Sequence, residues 1–509
     1  MRRLSGLPPG QVRRLGLVLL FCAAAAAGSL TADDTQTPEV YVQLGDLLLQ
    51  ESRYREAAAA YERVDDGADP DLRARAAAGL TRALLRSAQF GRARQAAERL
   101  VALEPQSPDA ITLHGDALWG VGLFPEAEAR YREALAVDPA HARAHHGLAR
   151  TLSSRRRFTE ALDHIRIALA RLPGDYELHH TEGFIFDRLG RYAEAAASLR
   201  RFQTLLPPHD REQRALLVRA QIGFLESFGD RTPFEMKPEV ANRIHTVPFR
   251  IVNDKIVVKG SVNGSRPLDV ILDTGAEMTV ISRRTAERQG IRPLGFTVSA
   301  GVGEVGMRGL QLGRVDELRI GTFSMRNIPV LVKNPTLPGL PMREGESWSP
   351  VALGLSTIID YGRKQLTFGK GPLPPGELDL PLYFHRLAMV RGTVNGREPA
   401  SFVVDTGGEV ISISTAVASA IGPSRMRRIP LKVYGVSGWD RDAFLYPGLN
   451  LAFDQIRFDN FATVVLNLKA PSTLLGIELG GIVGHRFLSR YLVGIDLEAG
   501  RLRLTECCR

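Results

Sequence analysis

Val270-Ile271-Leu272-Asp273-Thr274-Gly275-Ala276 and, 132 residues further on, Phe402-Val403-Val404-Asp405-Thr406-Gly407-Gly408 are the stretches on which the fold turns. Each is an apolar strand-like run that leads straight into Asp-Thr-Gly. The offset holds without a gap on either side. Upstream, Val258 to Gly264 matches Val390 to Gly396, and Pro267 matches Pro399. Downstream, Glu277, Ile281, Ser282 and Gly290 match Glu409, Ile413, Ser414 and Gly422. The shared Ser predicts the cap of a short helix and the shared Gly its end. A lone Asp-Thr-Gly would carry little weight; two at equivalent places in a duplicated strand–loop–helix unit carry a great deal.

Around these loops the chain from Pro248 onward alternates in hydropathy and is rich in Val, Ile and Gly, an all-β texture. Further paired features follow. Gly301-Val302-Gly303-Glu304-Val305-Gly306 is a glycine-rich hairpin tip, and Tyr434-Gly435-Val436-Ser437-Gly438 is its counterpart. Ile482-Val483-Gly484, then Ile495-Asp496, closes the second half; in the first half we read the same element at Ala352-Leu353-Gly354, then Ile359-Asp360.

This pattern resembles the two lobes of a pepsin- or retropepsin-type aspartic protease, fused in tandem over residues 246–506. The resemblance implies an aspartic endopeptidase with Asp273 and Asp405 as its catalytic pair and no cofactor or metal. It implies loop support from Thr274, Gly275, Ala276, Thr406, Gly407 and Gly408, the threonines bonding across the lobe interface. It makes Gly301, Gly303, Tyr434, Gly435 and Gly438 flap residues over the substrate. The residue types suit the chemistry. Two adjacent carboxylates repel each other's charge and so share one proton, which lets one act as base toward a water and the other as acid toward a carbonyl. Glycine is needed where two loops meet backbone to backbone. The chain departs from the family at Gly408, where Ala or Ser is usual, and in lobe one, which lacks residues corresponding to Phe487–Leu492. The alternative reading is a catalytically inactive pair of lobes retained as an envelope binding or scaffold protein.

The first half repeats with a period of 34 residues: Ala93, Ala127, Ala161 and Ala195; Phe90, Phe124, Phe158 and Tyr192; Pro105, Pro139, Pro173 and Pro207. An earlier unit with Gly45, Tyr54, Ala57 and Tyr61 carries two extra residues. The period resembles the tetratricopeptide repeat, which implies an all-α solenoid over 38–228, closed by a polar-faced helix from Arg211 to Phe228, with a groove for a protein partner. His145-His146 and His179-His180 recur at the repeat spacing; stacked repeats account for them without a metal.

A proline-marked linker at 229–245 joins the solenoid to lobe one (246–370) and, through a Gly/Pro-rich join, lobe two (377–506). Arg2, Arg3, Arg13 and Arg14 before the apolar run Leu15–Ala27 predict a leader over 1–32, either cleaved or kept as a membrane tether, and hence export to the periplasm or exterior. The net charge of +9 reads as solvated surface; nothing in the sequence points to nucleic acid.

Overall fold

The computed structural model describes residues 37–207, 211–333, 345–397, 399–422 and 429–507; the leader read at 1–32 lies outside the described residues. Eleven helices form the N-terminal solenoid: α1 (Pro38–Gln50), α2 (Tyr54–Tyr61), α3 (Pro70–Arg86), α4 (Phe90–Leu103), α5 (Pro108–Gly120), α6 (Phe124–Val137), α7 (Ala142–Ser154), α8 (Phe158–Arg171), α9 (Tyr176–Arg188), α10 (Tyr192–Leu205) and α11 (Arg211–Glu226). The repeating Phe or Tyr opens each second helix, and the repeating Ala is fully buried in its first turn. Starts are set locally. Pro38, Pro70 and Pro108 occupy first-turn positions, and the Asp69 and Ser107 side chains accept from Asp71 N (2.9 Å) and Ala110 N (3.3 Å). No helix among the described residues is long and apolar enough to cross a membrane.

Two tyrosines show why the repeats need glycine. The buried Tyr131 ring lies between Gly115 and Gly147, where an added Cβ would come within 2.6 and 2.3 Å of it. Tyr61 sits the same way between Gly45 and Gly79. Each hydroxyl then reaches an aspartate on the neighbouring helix, Asp116 at 2.8 Å and Asp46 at 2.7 Å.

Lobe one is a closed eight-stranded sheet in the order Arg250–Val252, Lys255–Val262, Leu268–Leu272, Glu346–Trp348, Thr279–Ser282, Phe323–Lys333, Met307–Ile320, Gly295–Ala300. Lobe two repeats that order with Tyr383–His385, Leu387–Val394, Ala400–Asp405, Gly481–Gly484, Ser412–Ser414, Ile456–Leu466, Phe444–Phe453 and Ile429–Pro430. In both, the Asp-bearing strand pairs in parallel with the closing strand. A further six-stranded sheet takes three strands from each lobe and joins them where Ser356–Asp360 runs antiparallel to Tyr491–Asp496. Ile358 faces Gly494 there, so the local two-fold of the duplicated unit passes between them.

The register corrects one reading. Leu272 pairs with Trp348 as Val404 pairs with Val483, so lobe one's counterpart of Ile482-Val483-Gly484 is Ser347-Trp348-Ser349. Ala352-Leu353-Gly354 instead forms the turn that follows, in place of lobe two's short helix His485–Leu488. Counted from Ser349, lobe one therefore lacks only one residue before Ile359 relative to the run from Gly484 to Ile495, not the stretch expected from the sequence, and a turn stands where lobe two has its helix.

The solenoid and lobes are packed together. Trp119 meets His385 edge-on at 5.2 Å, Phe124 meets Tyr383 at 5.5 Å, Ser401 Oγ donates to Gly122 O (2.8 Å), and Arg391 pairs with Glu126 (2.6 Å). At the other end α11 is not polar on its far side: Phe224 and Leu225 share a core with Leu312 of lobe one, and Arg314 donates to Ser227 O (3.0 Å). The cap's outer face is apolar because lobe one covers it. The segment at 229–245 runs along lobe one, with Glu235 and Arg326 exchanging backbone hydrogen bonds of 3.1 and 2.8 Å. A Gly147→Ala substitution should overpack the Tyr131 site and cost about 1–3 kcal/mol, read as an earlier urea midpoint in chemical denaturation.

Candidate active site

Both Asp-Thr-Gly loops leave the centre of their sheets at the same point. Asp273 N donates to Trp348 O (2.9 Å), and each loop turns back on its aspartate, with Ala276 N on Asp273 O (3.3 Å) and Gly408 N on Asp405 O (3.2 Å). The loops are tied by their threonines. Thr274 N donates to Thr406 Oγ1 (3.1 Å) and Thr406 N to Thr274 Oγ1 (3.0 Å). Each hydroxyl in turn donates across the interface, Thr274 to Val404 O and Thr406 to Leu272 O, both at 2.8 Å. Both threonines are buried.

This lock puts each aspartate against the other loop's glycine. A Cβ on Gly275 would lie 2.4 Å from Asp405 Cγ, and one on Gly407 would lie 2.7 Å from Asp273 Oδ1. Only glycine admits that approach. Burial raises both carboxylates above the ordinary range, and the charge of Asp405 raises Asp273 further. Asp405 is held back by the backbone N–H groups of Gly407 (2.7 Å to Oδ1) and Gly408. Both carboxylates are thereby pushed toward the protonated form, which favours one proton shared by the pair.

Lys255 was not foreseen. It follows the turn Asn253-Asp254, both residues left-handed (φ 50° and 57°), and its Nζ hydrogen-bonds Gly407 O of the opposite lobe. Its charge counters the rise of both carboxylates. The equivalent position in lobe two is Leu387, so one cation serves the pair. The flanking residues are also unlike. Arg386 of lobe two binds Glu277 of lobe one (2.7 Å), whereas its mate Asp254 meets Arg486 (3.5 Å).

The two glycine-rich segments meet as tips. In lobe one Ala300 pairs with Met307 across Gly301–Gly306; in lobe two Gly435 pairs with Gly438 across Val436-Ser437. Ser437 N donates to Val302 O (3.1 Å), Val305 N to Ser437 O (3.0 Å), Glu304 N to Trp439 O (2.9 Å), and the Ser437 hydroxyl to Gly306 O (2.9 Å). Gly301, Gly303 and Gly435 permit this contact: a Cβ on any of them would strike Val436, Ser437 or Val302 within 2.5 Å. Gly438 holds φ 105° at the tip, and Tyr434 packs on Trp439 at 5.4 Å. Ser437 is the tip residue that sequence reading missed; its place between flap glycines was the available signal.

Beneath the tips lies a cavity of about 2330 Å³ that reaches both aspartates. Its far wall comes from the solenoid, with Arg156, His180, Phe184 and Arg188 among the lining residues. Among the described residues no group of His, Cys, Asp or Glu is arranged to hold a metal. His145 meets His164 at 2.8 Å and His146 meets Thr181 at 2.8 Å, both inside the repeats.

Two measurements probe this geometry. Thr406→Val keeps the shape but strands Leu272 O and Thr274 N, costing about 2–6 kcal/mol at about 1–3 per buried group; Thr274→Ser should cost under about 1 kcal/mol in the same denaturation experiment. For Asp273, a raised folded pKa means that the native chain keeps a proton the unfolded chain has already lost, so stability falls as pH rises from the ordinary carboxylate value through the raised one. Asp273→Asn should therefore flatten that slope, by up to about 1.4 kcal/mol per pH unit, and raise the melting temperature at neutral pH more than at acid pH.

Comparison with known families agrees with this layout. An aspartyl protease family model matches residues 258–356 and 390–484, and tetratricopeptide-repeat models match 38–66 and 112–176. No curated protein matches. Solved structures similar to the chain include a thermophilic TPR protein of Thermus thermophilus (20% identity, 37% of this chain and 98% of that one, TM-score 0.32). MamA matches at 17% identity (35% and 95%, TM-score 0.25), and PilF of Pseudomonas aeruginosa at 18% (38% and 85%, TM-score 0.29). The C-terminal half of this chain is a tandem pair of aspartyl-protease-type lobes, and its N-terminal half is a tetratricopeptide-repeat solenoid.

Proposed function

We propose that the chain is an aspartic endopeptidase that hydrolyses peptide bonds with a water held between Asp273 and Asp405. The observation that carries the reading is the threonine-locked approach of two half-buried carboxylates beneath paired flap tips. A peptide would lie extended in the cavity and pair its backbone with the flaps. Ionised Asp405 takes a proton from the water as its oxygen attacks the scissile carbonyl carbon. Asp273 gives its proton to the carbonyl oxygen. The tetrahedral intermediate then collapses with proton transfer to the amide nitrogen, the C–N bond breaks, and the pair regains its single proton.

The solenoid contributes to substrate choice in this reading, because its inner residues share the cavity with the aspartates. A partner protein docked on its remaining surface is compatible with that role. The leader at 1–32 supports a place outside the cytoplasm, cleaved or tethered.

The test is cleavage of a diverse peptide library from about pH 3 to pH 8 by the chain lacking its leader, beside Asp273→Asn and Asp405→Asn. We expect turnover that either substitution reduces by at least about a thousandfold. Loss of activity toward higher pH is expected as Asp273 gives up its proton. Cleavage that survives both substitutions would sink the assignment; a folded protein that cuts nothing at any pH would favour the binding-module alternative.

A further inference from the structure

The interhelix turns of the repeats share one strained position. Ala88, Gly122, Arg156 and Gly190, spaced by 34 residues, all take left-handed backbone (φ 55°, 76°, 60° and 71°). Glycine fits there without cost; a long side chain does not, and one that persists points to a use. The Arg156 side chain enters the cavity that holds Asp273 and Asp405. Its guanidinium lies over the rings of Phe158 (5.7 Å) and Phe384 (5.8 Å), beside the lobe-one turn at Gly354.

Arg188, at the end of α9, lines the same cavity and lies over Phe184 at 5.2 Å. The two positive charges sense each other, and burial with Arg188 nearby lowers Arg156 to about 10. Neither guanidinium makes an ion pair or a hydrogen bond among the described residues. Their neighbours do: Arg86 has Glu177, Arg150 has Asp116, and Arg386 has Glu277. Asp187 feels Arg188, but burial raises its carboxyl toward the neutral form. Two half-buried guanidiniums with aromatic faces beneath them and free edges lack only a planar anion to receive their paired N–H groups.

We propose that Arg156 and Arg188 bind a carboxylate carried by the peptide in the cleft, either its C-terminal group or an acidic side chain. This rests on the reading of the cavity as a peptide site.

The test measures binding rather than turnover, on the leaderless chain carrying Asp273→Asn. The probe is a fluorescein-labelled hexapeptide of alternating alanine and leucine, made as free acid, as C-terminal amide, and as an amide ending in glutamate. A carboxylate-bearing form should bind about tenfold or more tightly than the plain amide. Arg156→Met and Arg188→Met should each abolish the preference and leave the amide's affinity unchanged. Preference for the free acid alone assigns the terminal group, and preference for the glutamate form assigns the side chain; either supports the pocket. Arg156→Gly separates function from folding, since glycine relieves the backbone. Its melting temperature should hold or rise while the preference is lost. Equal binding of all three peptides, no binding of any, or a preference that survives both Met variants overturns the pocket. Carboxylate-dependent binding by a parent chain that cleaves nothing would keep the pocket and refute the protease reading; cleavage without any such preference would do the reverse.

Discussion

The reciprocal hydrogen bonds between Thr274 and Thr406 are the constraint on which the rest of the site depends. Each bond is worth only about 1 kcal/mol net, but breaking one leaves a buried peptide group unpaired at greater cost. They fix two loops from separate barrels at a distance that only Gly275 and Gly407 can tolerate. The carboxylates have no freedom to separate. Their mutual repulsion and burial are therefore relieved by keeping a proton, which is the property that acid–base chemistry on a water requires. The inter-lobe sheet supplies the stiffness behind the lock, since its central pairing at Ile358 and Gly494 lies on the same local two-fold.

The duplication is imperfect where charge matters. Lys255 reaches Gly407 from lobe one, while Leu387 at the equivalent place is apolar. Arg386 and Asp254 hold equivalent places with opposite charge. Symmetric halves would give two aspartates with identical surroundings; these differences make the surroundings of Asp273 and Asp405 unlike. The solenoid adds a second asymmetry, because it packs on lobe two through α5 and α6, on lobe one through α11, and lines one wall of the cavity.

Much of this was legible in the residues. The 132-residue offset located both aspartates, their threonines and their glycines, and the 34-residue period located every repeat from Phe90 onward. Such features are local: a strand leading into a loop, a small residue where helices cross, a glycine where φ is positive. What stayed hidden depends on chain segments far apart in sequence. Lobe one's closing strand was read at Ala352–Gly354 because a Gly was sought there, yet hydrogen-bond register places Ser349 in that role. Ser437 and Lys255 gain meaning only when the other lobe's loop stands opposite them. The helix at Arg211–Glu226 looked like a solvated cap because its partner, Leu312, lies far along the chain.

The sequence by itself determined the two architectures and the identity of the paired carboxylates, since duplication and periodicity are one-dimensional signals that any fold consistent with them must honour. Tertiary structure alone decided how closely the two carboxylates approach, that the flap tips are joined through Ser437, and that the repeats wall the cavity instead of hanging free of it. Those outcomes follow from burial and from distances between groups more than a hundred residues apart, as with Arg391 and Glu126 or Ser401 and Gly122. Electrostatics and packing act through space, and the spatial neighbours of a residue are fixed only when the whole chain has folded.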